Sequence, residues 1–269
     1  TRTIDIGGRD LWFVPHADGE TPRAVDFGTT SGMTQFGRDR NDWGDWFGGN
    51  NANPMWHYVI EERYLARNPH VPSAAPRQDV SVEPGASPVY PLSATLARFN
   101  DLHMANRFTS ACSPMIYRDR ATIDGLWGDA FVCEPVHNLV HRERMERMGA
   151  SWTSARPADQ QRSEFLATDD SWFRPVMART GPDGAIWIAD MYRLVIEHPE
   201  WIAPERQREL NLRSGADRGR IWRIVPRGHE RPIPRLDRLS IDECVAQLES
   251  PNGVVRDLVQ ERLIRERRV

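Results

Sequence analysis

The segment from residue 170 to residue 191 constrains the fold of this chain more than any other stretch. It predicts two strands, Pro175 to Thr180 and Ala185 to Ala189, joined by Gly181-Pro182-Asp183-Gly184, where proline presets one turn dihedral and glycine supplies a positive one. The second strand is almost continuously apolar, which is typical of a strand covered on both faces. Such a β-hairpin places Arg174, just before its first strand, beside Asp190, just after its second.

The same arrangement of short strands and turns occurs earlier in the chain. Equivalent second strands begin at Asp45, Asp129 and Ala185, each after a glycine turn and each before a polar loop. A further hairpin is expected between Asp10 and Phe27, with a turn at His16 to Glu20. The other expected strands are Met33 to Arg38, Asp45 to Gly49, Trp56 to Ile60, Pro114 to Arg118, Ala130 to Cys133, Leu139 to Met145, Ser151 to Ala155 and Arg220 to Val225.

Four antiparallel strands per unit, with insertions of unequal length, are typical of a β-propeller blade. One such insertion lies between Asp190 and Arg218 and contains a helix expected from Pro204 to Leu212. We therefore predict a mainly β fold, with about three propeller blades between Leu11 and Val225.

Beyond Pro234 the apolar period changes from 2 to 3.6. Ser240 and Glu243 form a capping box before a helix expected to run to about Glu249, and a second amphipathic helix is expected from Val254 to Arg265. Because two helices cannot bury both faces alone, we expect further repeats after them in the parent protein. The predicted organisation is a partial β-propeller over residues 1–234 and the start of a HEAT-like helical repeat region over residues 235–269.

Composition excludes several classes of partner and cofactor. A net charge of −3 gives no footprint for nucleic acid or an anionic membrane. No stretch approaches the length of a transmembrane segment. Cys112, Cys133 and Cys244 form no C-x-x-C-H motif, so this chain encodes no covalent haem site, and their odd number argues against a disulfide framework. Both ends of the chain indicate a piece of a larger protein.

In a propeller, the loops that enter the innermost strands and the loops that join the second and third strands share one face. The side chains predicted at this mouth, called the mouth residues below, are Gln35, Asn51, Asn53, Asn138, Arg174, Asp190 and Arg193. A concave, polar surface on rigid strands is the default ligand site. The structural alternative is that Arg174 and Asp190 only pair with each other to brace the blade.

The histidines and aspartates offer weaker candidates. On a strand, His137 and His141 would lie about 13 Å apart, too far to share a metal, so no metal site is predicted there. His198 could cap the insertion or act as a base. Three turn aspartates, Asp39, Asp42 and Asp45, could bind calcium, although turns favour Asp for backbone reasons alone. Ser110 and Ser113, near Cys112, lack a nucleophile-elbow motif and a paired histidine, which leaves hydrolase chemistry unsupported.

Several passages together carry a family resemblance. They are Ser31-Gly-Met-Thr-Gln-Phe-Gly37, Asp42-Trp-Gly44, Tyr64-Leu-Ala-Arg-Asn-Pro69, Asn138-Leu-Val-His-Arg142, Trp172-Phe-Arg-Pro175, Gly181-Pro-Asp-Gly184, Ala189-Asp-Met-Tyr-Arg193, Ile196-Glu-His-Pro199, Asp217-Arg-Gly-Arg-Ile221 and Ile224-Val-Pro226. Through them the chain resembles the membrane-bound dehydrogenase domain proteins of planctomycete-type bacteria, relatives of the quinoprotein sugar and sorbosone dehydrogenases.

This resemblance implies a six-bladed propeller that oxidises a sugar or other alcohol with pyrroloquinoline quinone (PQQ) and passes electrons to a cytochrome c domain, in the periplasm or cell envelope. An Arg fork such as Arg174 would bind the quinone carboxylates. The chain departs from the family pattern because about half the blades and the haem site are missing. The catalytic base cannot be assigned to any residue here, and the missing blades or another chain must complete the ring. The alternative function is a non-catalytic propeller with helical repeats that serves as a binding scaffold.

Overall fold

The computed structural model describes residues 9–13, 27–29, 34–65, 67–68, 70–72, 75–81, 83, 85–94, 105–196 and 198–266. Within them the fold is mainly β, with antiparallel sheets followed by a helical C-terminal segment. The first two strands, β1 (Leu11–Phe13) and β2 (Phe27–Thr29), pair with each other. The turn expected at His16 to Glu20 lies outside the described residues.

Three larger sheets follow in chain order, each with its first strand at one edge. The first sheet has the order β3 (Arg38–Arg40), β4 (Trp46–Gly48), β5 (Trp56–Tyr58) and β6 (Arg77–Asp79). The second contains β7 (Cys112–Ile116), β8 (Ala130–Glu134), β9 (Leu139–Met148) and β10 (Ser151–Ala155), with the short β11 (Leu166–Ala167) also paired to β9. The third contains β12 (Pro175–Thr180), β13 (Ile186–Asp190) and β14 (Arg220–Ile224).

The three sheets pack through their first strands, with β7 in contact with β3 on one side and β12 on the other. Hydrogen bonds cross both junctions: the Ile116 amide donates to Asp39 Oδ2 at 3.1 Å, and the Ala178 amide donates to Ser113 Oγ at 3.1 Å. An apolar cluster that includes Phe47 and Trp152 fills the space between the first and second sheets, and another that includes Phe131 and Ile188 fills the space between the second and third. Burial of this apolar surface holds the sheets face to face.

The turn of the β12–β13 hairpin requires glycine at its last position. Gly184 has a φ of +81°, and a Cβ there would lie 1.9 Å from Thr122 Oγ1. Asp183 accepts from the Ala185 amide at 3.2 Å and from Trp187 Nε1 at 3.0 Å, which fixes the turn from inside. The predicted hairpin is therefore confirmed, with its first strand at the expected bounds and its second shifted by one residue.

The C-terminal helices are α3 (Ile241–Ala246) and α4 (Gly253–Arg265), and α1 (Glu62–Leu65) and α2 (Pro204–Glu209) precede them. The capping box is confirmed, because the Ser240 amide donates to Glu243 Oε2 at 2.7 Å and the Glu243 amide donates to Ser240 Oγ at 3.3 Å. Cys244, Val259 and Leu263 are buried between α3 and α4. Among the described residues, no helix has the length and apolar character needed to cross a lipid bilayer.

A buried arginine attaches α4 to the sheets. Arg118 Nε donates to Asp42 Oδ1 at 2.7 Å, while its terminal nitrogens donate to both oxygens of Asp257 at 2.6 and 3.1 Å. Next to it, the Gly253 amide donates to the Arg118 carbonyl at 2.8 Å and Asn252 Nδ2 donates to the Gly181 carbonyl at 2.8 Å. The helical segment thus packs against the turns that join the first two strands of the sheets.

Some of the predicted elements have different bounds in the structure, and not every strand was predicted. The first strand of the first sheet ends at Arg40 instead of Arg38, because the Asn41 side chain accepts from the Trp43 and Asp45 amides and fixes the turn directly after Arg40. The strand β6 was missed, since its sequence Arg-Gln-Asp has no apolar alternation. The helix α2 ends at Glu209, short of the predicted Leu212.

We predict that Arg118→Leu lowers the free energy of unfolding by about 3 kcal/mol, because it removes a buried guanidinium that binds both Asp42 and Asp257 and leaves Asp42 with Arg256 as its remaining arginine. Urea unfolding of the intact protein measures this change. The exposed ion pair of Arg235 with Asp237 provides the control. Arg235→Leu should leave the unfolding midpoint unchanged, and an equal effect of both substitutions would contradict the assignment of Arg118 as the attachment point.

Candidate functional site

The hairpin brings Arg174 and Asp190 together as predicted, but through the backbone. Pro175 pairs with Asp190 in the register of β12 and β13. Asp190 Oδ1 accepts from the Arg174 amide and the Tyr192 amide, both at 2.8 Å, and Oδ2 accepts from Trp222 Nε1 at 3.0 Å. The bond to its amide holds Tyr192 at a φ of +50°, a conformation that non-glycine residues rarely adopt. Asp190 therefore holds the open end of the hairpin.

The guanidinium of Arg174 binds backbone carbonyls. Nε donates to Arg193 O at 2.8 Å and Nη2 donates to Leu194 O at 2.9 Å. Nη1 donates to Pro135 O at 2.8 Å and to Val136 O at 3.2 Å. The residue is 3% exposed, and burial lowers the pKa of its guanidinium to about 10. Arg174 thus ties the third sheet to the loop that follows β8 in the second.

Asn138 and Arg193 complete this group of mouth residues. Asn138 is buried with a φ of +57°, and its Nδ2 donates to Phe173 O at 2.5 Å and Ser171 O at 3.2 Å. The Arg193 side chain is half-buried, and its Nη1 donates to Arg213 O at 3.1 Å. The structure therefore brings Asn138, Arg174, Asp190 and Arg193 into one connected set.

The remaining mouth residues lie on the first sheet and are more accessible. Gln35 and Asn51 are exposed, and the Asn51 amide donates to Gln35 Oε1 at 3.4 Å. The Asn51 carbonyl accepts from the Ala111 amide at 3.0 Å, which joins this pair to the entrance of β7. Asn53 Nδ2 donates to Asp79 Oδ1 at 2.6 Å. Gln35 and Asn51 keep polar atoms near solvent, in contrast to Arg174 and Asp190, whereas Asn53 Oδ1 is buried.

Sequence reasoning missed the buried carboxylate of Glu134 at the same end of the second sheet. It is fully buried and accepts from the Thr109 amide at 3.2 Å, the Ser110 amide at 3.0 Å and Ser110 Oγ at 2.6 Å. His137 Nδ1 lies 3.1 Å from Glu134 Oε1, and its Nε2 accepts from the Asn106 amide at 3.0 Å. Since Nε2 accepts, Nδ1 carries the proton and donates to Glu134. The sequence did contain a signal for this carboxylate, because Glu134 is a single charged residue at the end of an otherwise apolar strand.

The described mouth residues do not fit the predicted quinone site. Its Arg fork requires a guanidinium free to face a carboxylate, whereas Arg174 is occupied by carbonyls. The three turn aspartates also have separate partners: Asp39 accepts from the Ile116 amide, Asp42 from Arg118 and Asp45 from Trp152 Nε1. Quinone and calcium binding remain predictions, and no reaction step can be assigned to these side chains.

The two predicted histidines contact different carboxylates, and His141 is on a strand as expected. His141 Nδ1 lies 2.7 Å from Glu164 Oε2, and Nε2 lies 3.3 Å from Glu143 Oε1. Both nitrogens can donate only if the ring is protonated. Burial opposes that charge, but the hydrogen bonds and charges of Glu143 and Glu164 outweigh burial and raise the pKa of His141. His198 is exposed and caps a short 3-10 turn, with its Nδ1 accepting from the Glu200 amide at 3.4 Å.

The His141 network should make stability depend on pH. A raised pKa means that the contribution of His141 is complete below its ordinary value of 6.5 and is lost as pH rises through the folded-state pKa. Burial acts to raise the pKa of Glu143 and Glu164, but their bonds to His141 have the larger effect, so both pKa values are lowered. Their contribution to stability is therefore complete above their ordinary pKa of 4.5 and is lost as the pH falls. We expect the network to stabilise most between pH 4.5 and 6.5.

His141→Gln should therefore cost roughly 3 kcal/mol within this window and less on either side of it. Urea unfolding at a series of pH values, for both proteins, measures the difference. A difference that stays constant across the series would show that protonation of His141 is not what stabilises the fold. His198→Gln, at an exposed site, is the control and should give no pH-dependent difference.

We predict that Arg174→Leu destabilises the protein by about 3 kcal/mol, because several buried carbonyls lose their donor. Arg174→Lys should recover only part of this, since one ammonium cannot serve all four carbonyls of the fork. The measurement is chemical unfolding, with Arg193→Leu as the control, for which a loss below about 1 kcal/mol is expected. Full stability of Arg174→Leu would mean that the carbonyl bonds do not hold the two sheets together.

The comparisons with known proteins identify a family without a described activity. A family model described as a domain of unknown function, DUF7133, matches residues 1–228. No curated protein and no solved structure matches the chain. The matched span includes all three larger sheets and all the mouth residues, and it ends before the two C-terminal helices. Because the match covers well over half of the 269 residues, the chain belongs to the DUF7133 family.

Proposed function

We propose that the three larger sheets are consecutive blades of a β-propeller. Their first strands β3, β7 and β12 lie side by side, as innermost strands do around a propeller axis, and chain order equals spatial order. The second and third sheets also share a repeated detail. Glu134 and Asp190 each end the second strand of a sheet, and each accepts from at least one backbone amide within three residues before the first strand of that sheet.

The two C-terminal helices support the proposal of a helical repeat unit of the HEAT type. They share a small core, yet they keep several large apolar side chains on the outside: Val245 is 50% exposed, Leu258 43% and Ile264 58%. In a repeat array such a face is covered by the next unit. Within this proposal, the array extends from the end of the propeller to which Arg118 attaches it.

For the function, we propose a non-catalytic binding scaffold formed by the propeller and the helical repeats. The observation that carries this proposal is the bonding of Arg174, the mouth residue best suited to an anionic cofactor. Its guanidinium donates to four carbonyls, and Asp190 is satisfied by two amides and an indole. Groups held in this way build a rigid rim, while Gln35 and Asn51 remain accessible for contact with a partner.

The competing proposal is the quinone-dependent oxidation of a sugar or alcohol, with electrons passed to a cytochrome c, in the periplasm or cell envelope. It requires the cofactor-binding groups and the catalytic base to come from other blades. In both proposals, missing blades or another chain must cover β14, whose outer edge is unpaired among the described strands. We expect the isolated chain to self-associate, and a stable monomer would count against the blade count.

The two functions are separated by assaying the complete protein with PQQ and calcium. A dye-reduction assay with a panel of sugars and alcohols should give no turnover, and PQQ should cause no saturable change in tryptophan fluorescence. Arg174→Lys should alter stability alone. Quinone-dependent dye reduction by the complete protein would overturn the scaffold proposal, whether or not Arg174→Lys changes its rate.

A further inference from the structure

A cavity of about 240 Å³ lies between the second sheet and the segment that follows β6, and its lining contains none of the mouth residues. It is lined by residues of the segment after β6, by the strands β9 and β10, and by the loop that follows β10. The residues used below are Ser81, Ser87, His141, Glu143, Ser154 and Arg156. Its volume is below the roughly 300–1,000 Å³ of pockets that hold drug-sized ligands, so an occupant must be small.

The polar groups of this cavity are mainly acceptors. Ser81 Oγ donates to Glu143 Oε1 at 3.0 Å, and Ser154 Oγ donates to Glu143 Oε2. Both hydroxyl hydrogens are thereby used, which leaves oxygen lone pairs of the two serines and the carboxylate as acceptors. A ligand that complements this wall must donate hydrogen bonds.

A second observation is independent of the acidic group. Ser87 is 9% exposed, and its Oγ is buried without a hydrogen-bond partner in the described part of the chain. A buried hydroxyl without a partner costs free energy that a bound donor or acceptor would recover. Ser87 belongs to the cavity lining, so a ligand placed there could supply the missing bond.

The buried charges at the cavity already balance. Glu164 accepts from Arg156 at 2.8 Å and pairs with His141 at 2.7 Å, while His141 also contacts Glu143. Two buried carboxylates, Glu143 in the lining and Glu164 behind it, thus face one guanidinium and one imidazolium. Glu83, the other carboxylate of the lining, is exposed, so water solvates its charge. A charged ligand would add an uncompensated charge to a buried site, whereas a neutral one would not.

We propose that this cavity binds a small neutral polyol, of the size of a single sugar ring or less, through hydroxyl groups that donate to Ser81, Ser154 and Glu143. Ser87 completes the site with its hydroxyl. The site uses none of the mouth residues, so it can be present whether the propeller is a scaffold or an oxidoreductase.

Binding to the complete protein is tested by calorimetry and by saturation-transfer NMR with glucose, xylose and glycerol. Glucosamine and glucuronate serve as cationic and anionic probes of similar shape. We expect saturable binding of at least one neutral probe, weakened about fivefold or more by Ser87→Ala and by Ser81→Ala. Ser163→Ala, at an exposed hydroxyl outside the cavity lining, should leave the affinity unchanged.

Three results would overturn the proposal. The first is the absence of saturable binding by every neutral probe, which would leave a cavity that holds water alone. The second is tighter binding of glucosamine or glucuronate than of glucose, which would contradict the charge argument. The third is equal weakening by Ser163→Ala and Ser87→Ala, which would place the bound sugar elsewhere on the protein.

Discussion

The sheets depend on one constraint: the backbone amides just before each first strand must find hydrogen-bond acceptors. In the second and third sheets a carboxylate at the end of the second strand is the acceptor. Asp190 does this for Arg174 in the third sheet, and Glu134 does it for Thr109 and Ser110 in the second. In the first sheet the Gly49 carbonyl accepts from the Gln35 amide instead. At that end of the first sheet the side chains of Gln35 and Asn51 are exposed.

This difference between the sheets changes the role that we assign to the mouth residues. A cluster of Arg, Asp and Asn read from sequence suggests ligand recognition, because such side chains usually seek partners outside the fold. Here Arg174 and Asn138 both donate to main-chain carbonyls of neighbouring segments, so their polarity is consumed in joining the second and third sheets. Only Gln35 and Asn51, on the sheet without the carboxylate, keep the exposure that recognition needs.

Local chemistry explains which features the sequence could predict. The β12–β13 hairpin and the Ser240 capping box follow from short-range rules of turns and caps, and both are confirmed. The strand β6 could not be predicted because Arg77-Gln78-Asp79 forms a strand only by pairing with β5. The partners of Arg174 and the Glu143–His141–Glu164 network were equally inaccessible, since they join residues far apart in sequence. Sequence identified polar groups but not whether the fold would use them.

Two buried arginines show how the fold compensates charge at its two ends. Arg118 meets the carboxylates of Asp42 and Asp257, and its pKa is raised because these bonds outweigh burial. Arg174 donates its hydrogen bonds to carbonyl dipoles, and burial lowers its pKa to about 10 although the charges of Asp170 and Asp190 act in the opposite direction. Dipoles compensate a buried charge less fully than an opposite charge does. Arg174 joins several segments at once, namely the loop after β8, the start of β12 and the segment after β13. The free-energy cost of burying Arg174 is therefore offset by the segments that it joins. This role fits a rim that holds the sheets together, and it does not fit a rim whose arginine is free to bind a ligand.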